Sequence, residues 1–140
     1  MNKKRMWFGC IALSFVLSLV GLWLYFRYSD CDIESQLSSP NKRYVALVLY
    51  DMGGGGPGWC NSAVSVLPSY EASLPMAIAF AIHNTVFEGP CDASLLLEWS
   101  NDNTLKVIYG LGKSSGYDPI QKMENKDREK TINIKYEKKA

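Results

Sequence analysis

Histidine is almost missing from these 140 residues, His83 being the only one. That excludes histidine-rich metal centres, and any Ser-His-Asp relay would have to rest on a single ring to which no motif brings a serine and an acid. In its apolar surroundings the plainer expectation is a partly buried strand histidine. A basic block of the kind that grips nucleic acid is absent too: from Cys31 onward the chain carries eleven basic and thirteen acidic residues, a formal net of about minus two. The charged stretches NKDREK and YEKK near the C-terminus mix signs, as solvated turns and tails do. No repeat of solenoid or propeller period occurs. A phosphate-binding glycine loop is also lacking, because GLGKSSG at 110–116 has Val107 where the first glycine belongs, while Gly116 and Pro119 oppose the helix that should follow.

Charge is wholly absent from residues 6–26, MWFGCIALSFVLSLVGLWLYF. A membrane-spanning helix needs about 20 mainly apolar residues at 1.5 Å rise to cover a hydrocarbon core of roughly 30 Å, and this run meets that requirement. Lys3, Lys4 and Arg5 precede it and only Arg27 follows closely, which places the N-terminus in the cytoplasm and the rest outside. Trp7, Trp23, Tyr25, Phe26 and Tyr28 cluster near its two ends, where amphipathic rings favour the headgroup region. The small-residue pattern of a cleaved signal peptide is missing from LYFRYSD, so the expectation is an uncleaved anchor.

Three regions follow: a cytoplasmic tip and anchor at 1–28, a polar linker at 29–38, and one exported domain at 39–140. Ser39-Pro40-Asn41 reads as a turn leading into 43–50, RYVALVLY, a strand buried on both faces at the centre of a sheet. Residues 61–67 alternate as a second, shorter strand. In 76–87, MAIAFAIHNTVF, Pro75 and the alternation of Ile78, Phe80 and Ile82 favour a strand over a buried helical turn. LLLEW at 95–99 and TLKVIY at 104–109 flank Ser100-Asn101-Asp102-Asn103 as a hairpin. TINIKY at 131–136 sets Ile132, Ile134 and Tyr136 on one face of a half-buried final strand. The fold class expected is therefore one N-terminal transmembrane helix plus a small mainly-β exported domain with an antiparallel sheet.

Gly53, Gly54, Gly55, Gly56, Pro57, Gly58 and Trp59 lie in a stretch whose backbone visits positive φ freely and whose glycines have no side chains to pack. This loop is a candidate partner surface, against the alternative of a plain connector. Cys10 belongs to the span, which leaves Cys31, Cys60 and Cys91 in an oxidising compartment. Cys60 with Cys91 is the expected pair, since each borders a strand where loop ends meet. Loop entropy cannot choose: closing roughly 32 residues stabilises by about 3.7 kcal/mol, and the longer Cys31 to Cys91 loop by about 4.3 kcal/mol. Cα atoms within about 7 Å must decide. The third thiol would stay free or join two copies as a dimer through Cys31.

Other candidate groups have plainer explanations. Asp51, Asp92, Glu98 and Asp102 could supply paired carboxylates, but spacing brings no two together. Tyr44, Tyr50, Trp59, Trp99 and Tyr109 could form an aromatic surface, yet sheet core accounts for most of them.

Two stretches, SPNKRYVA at 39–46 and LEWSNDNTLKVIY at 97–109, resemble small bacterial membrane-anchored or exported proteins of the DUF5412 type. Those proteins share a cysteine after the export segment, an S-P-D-G-K-Y-x-A strand and a W-x-x-D-N-T-L-x-I-x-Y hairpin. Met52 and the glycine run stand where they carry a further cysteine and small residues. The resemblance implies a bacterial inner-membrane setting and a structural pairing for Cys31, and brings no catalytic activity with it. The expected function is a membrane-anchored extracytoplasmic binding protein with an envelope protein as partner, no cofactor, no metal and no nucleic acid. The alternatives are an immunity-type inhibitor of an exported toxin, which a neighbouring toxin gene would mark, and an envelope-polymer hydrolase, which needs convergent acids or an activated serine in a cleft.

Overall fold

A computed structural model describes residues 3–28, 31–53, 59–112 and 120–139, with side chains for 11–23, 31–52, 60–112 and 120–139. The chain divides into two units, Met1–Asp30 and Cys31–Ala140. The first holds one helix, α1 (Lys3–Tyr28), which contains the whole uncharged run. Ile11, Leu13, Phe15, Val16, Leu17 and Leu19 are all exposed on it. Ser18 Oγ donates to Ser14 O at 2.9 Å, which satisfies its hydroxyl within the helix. Among the described residues no helix is long and apolar enough to cross a membrane; side chains of α1 are described only for 11–23.

The second unit is mainly β. Strands β1 (Cys31–Ser38), β2 (Tyr44–Gly53), β3 (Trp59–Pro68), β4 (Thr85–Pro90) and the short β7 (Lys122–Met123) form an antiparallel sheet in the order β1-β2-β3-β4-β7. β5 (Ser94–Asn101), β6 (Thr104–Gly110) and β8 (Asn133–Lys138) form a second sheet, β5-β6-β8. Strand β2 buries both faces as its continuous apolar run requires. Ala46 joins Val64, Val66, Val86 and Phe87 against Leu105, Val107, Ile132 and Ile134 of the second sheet's side. Val45, Leu47 and Leu49 pack on the opposite face with Leu67 and Ala81, under α2 (Ser69–Ala72) and α3 (Ala77–His83). The layers run from helices through the five-stranded sheet to the three-stranded one.

Three expectations are corrected. Residues 31–38, read as linker, form strand β1, held by backbone pairing to β2 from Cys31↔Asp51 to Ser38↔Val45. Only Cys31 of the strand is buried, so its own side chains carry no burial signal. Residues 77–83, read as strand, are helix α3. Ala77 and Ala81 fall one turn apart on the buried helix face, while β3, which precedes the helices, is flanked by β2 and β4. The final strand pairs parallel to β6, Leu105↔Ile134 and Val107↔Tyr136, within an otherwise antiparallel fold. After β6 the chain leaves for the far sheet as β7 and returns in the same direction.

The hairpin 95–99/104–109 forms as expected, its turn tightened to Asp102-Asn103 by Asn101 Oδ1, which accepts from Asn103 N at 2.9 Å. Its Trp99 Nε1 donates to Leu37 O at 3.0 Å, which ties the second sheet to strand β1. The Ser39 turn is also present. Ser39 Oγ donates to Asn41 Oδ1 at 2.8 Å and accepts from Tyr44 N at 3.1 Å, and Lys42 takes a left-handed φ of 58°. The Ile132, Ile134, Tyr136 alternation points inward, and the Tyr136 hydroxyl lies 2.8 Å from both Val86 O and Glu124 O.

Candidate functional site

Cys60 and Cys91 form the disulfide, with Cα atoms 5.4 Å apart, joining the start of β3 to the turn before β5. Cys31 is a free, buried thiol at the edge strand's first position. Burial, with Asp51 and Asp32 nearby, pushes it up to about 11. The structural pairing that the resemblance implied for Cys31 is therefore not made, and a dimer through this residue would first have to uncover it. Of the candidate partner loop, residues 54–58 lie outside the described residues; Gly53 and Trp59 are cross-strand partners ending β2 and β3.

The other candidates separate. Asp51 lies on β2, Asp92 in the turn before β5, Glu98 in β5 and Asp102 at the hairpin tip. Tyr44, Trp99 and Tyr109 are partly buried against the sandwich core, and the Phe87 and Tyr109 rings stand 5.5 Å apart. Tyr50 is half-buried beside Glu34, and burial first, then that carboxylate, raises its phenol. Gly112, which a phosphate loop would need, packs on the Asp92 carboxylate, and 113–119 lie outside the described residues.

His83 is exposed at the end of α3, not buried in a strand. There it opens onto a feature the sequence did not announce. Two adjoining clefts of about 410 and 360 Å³ share Asn84, Asp127 and Arg128. The first is lined by Val66, Pro68 and Phe80 with Glu71 and Glu129. The second is lined by His83, Lys122, Lys126, Arg128 and Lys130, with Glu124.

Local chemistry holds both walls. The C-terminal carbonyls of α3 are occupied: Ala81 O accepts from Ser65 Oγ at 2.6 Å, and Phe80 O from Asn84 Nδ2 at 2.8 Å. Opposite, Asp127 is buried and organises a turn. Its Oδ1 accepts from Ile132 N at 2.7 Å, its Oδ2 from Thr131 Oγ1 at 2.9 Å, and its carbonyl from Lys130 N at 3.0 Å. Lys130 closes the turn with φ 61°. Ile134 N, donating to Asn125 O at 2.9 Å, pins the segment to β8.

The two clefts differ in the sign of charge that lines them. Lys122, Lys126, Arg128 and Lys130 line the second cleft together with Glu124, while Glu71 and Glu129 line only the first. No periodicity in 122–130 marks the cleft, because Glu124 falls in phase with the cations and the chain turns at 127–130. The arrangement can hold charge. Among the described residues no group of three or more His, Cys, Asp or Glu could hold a metal ion.

No protein-family model, curated protein or solved structure matches this chain. The likeness to the DUF5412-type proteins thus rests on the two stretches quoted above.

Proposed function

We propose that this chain is a single-span membrane protein of the bacterial inner membrane whose C-terminal domain binds a ligand or protein partner outside the cytoplasm, without catalysing a reaction. The observation that carries the reading is the Cys60–Cys91 disulfide. Such bonds persist in oxidising compartments, and the N-terminal segment is of the type that takes a chain into one. Support for the anchor comes from α1, whose uncharged run of 6–26 lies within one continuous helix and whose apolar side chains at 11–23 are exposed. Such a helix loses less by entering lipid than by staying in water. The adjoining charged clefts supply the binding surface.

An enzyme reporter that works only after export, fused behind Ala140, tests the proposal, with a reporter that works only in the cytoplasm fused at the same point. Activity of the first alone is expected; activity of the second alone overturns the topology and the oxidising setting with it.

A further inference from the structure

We propose that the basic cleft beside α3 is an anion site for a small phosphate-bearing ligand. Lys122, Lys126, Arg128 and Lys130 line a space of about 360 Å³ with Glu124 and Asp127 as the only carboxylates there. Asp127 is already engaged, both of its oxygens accepting hydrogen bonds from Thr131 and Ile132. Among the described residues the one ion pair is Lys106 with Glu137 on the second sheet, so the four cations around the cleft lack a carboxylate in contact.

Clustered like charges on the walls of a concavity raise the local potential and are relieved by an incoming anion. A phosphate monoester carries nearly two negative charges at neutral pH, and its oxygens suit both a planar guanidinium and lysine ammonium groups. The cleft is near the small end of the ligand-pocket range, roughly 300 to 1,000 Å³, which fits a headgroup-sized molecule. Glu71 and Glu129 in the adjoining cleft repel the same ligand, and so confine it to the basic side. Asn84 and Thr85 already donate to the end of α3, which leaves the cations as the recognising groups.

The proposal rests on reading this cleft as the binding surface but not on the anchor. A failed export reporter leaves the titration below informative, and a silent titration leaves the topology result standing. The full chain in nonionic detergent micelles, at low salt, is titrated with inorganic phosphate while backbone amide shifts and the melting temperature are followed. Saturable shifts confined to 83–86 and 122–130 are expected, with a melting temperature that rises with phosphate. In Lys126→Ala/Arg128→Ala the affinity should fall at least about tenfold. Lys135→Ala/Lys138→Ala, which removes the same charge from exposed positions of β8, should bind as the parent does. All four positions are exposed, so the fold is retained, and each variant's melting temperature without phosphate checks this. No saturable response in the parent, or equal losses in both double variants, overturns the site. Glycerol phosphate and glycerophosphoglycerol then separate the sources: tighter binding of the monoester marks a soluble phosphate ester, and of the diester a lipid headgroup.

Discussion

Ser39 shows how much one small side chain does in the turn before β2. It is 2% exposed, and its hydroxyl links Asn41 Oδ1 to Tyr44 N. Ser39→Ala leaves the Tyr44 amide short of a partner and should lower stability by about 1–3 kcal/mol in urea unfolding. Cys31 makes a different prediction, through pH. Its folded-state value, pushed up to about 11 from 9.0, means that the native state holds its proton where the unfolded chain has lost it. The stabilisation is complete below pH 9 and is lost as pH rises through 11. Melting temperature should therefore fall across that window. Cys31→Ala should flatten the decline between 9 and 10, below the range in which Tyr50 and Tyr136, both raised from 10.0, take over.

Elements are joined here by a few long-range links. The disulfide ties β3 to the turn before β5, and its loop of roughly 32 residues predicts that Cys60→Ser/Cys91→Ser costs about 3.7 kcal/mol in denaturant midpoints analysed at constant m. A reducing agent should reproduce most of that loss in the parent chain. Tyr136 links β8 to β4 and to the segment after β7, its hydroxyl set between Val86 O and Glu124 O. Tyr136→Phe keeps the ring near Phe87, at 6.1 Å between centroids, and removes only the hydroxyl. A cost of about 1 kcal/mol is expected, with amide exchange faster in β7 than in β2. The helix at 77–83 shows why a local pattern misled: an i, i+2, i+4 alternation of Ile78, Phe80 and Ile82 reads as a strand, yet positions four apart also share a helix face. As a helix the segment packs Ala81, Ile78, Phe80 and Ile82 against Leu47, Leu49 and Leu67.

At the scale of the whole molecule, the anchor reading predicts that the chain stays with membranes through alkaline carbonate washing. Leu17→Lys/Val20→Lys, each costing about 2.5–3.5 kcal/mol at a helix centre in lipid, should release it to the soluble fraction. The residues alone determined the strand β2, the hairpin of β5 and β6 and the inward face of β8, because each depends on side chains that are local, whereas the expected pairing of Cys60 with Cys91 was decided by their Cα separation of 5.4 Å. Strand β1, helix α3, the parallel register of β8 and the charged clefts were decided only by tertiary structure. β1 is held through its backbone, with seven of its eight side chains exposed and so without a hydrophobic pattern to read. The cleft exists because β7, the Asp127 turn and the end of α3 converge from separate stretches of the chain. Convergence depends on how the layers stack, and that is a property no single window of sequence contains.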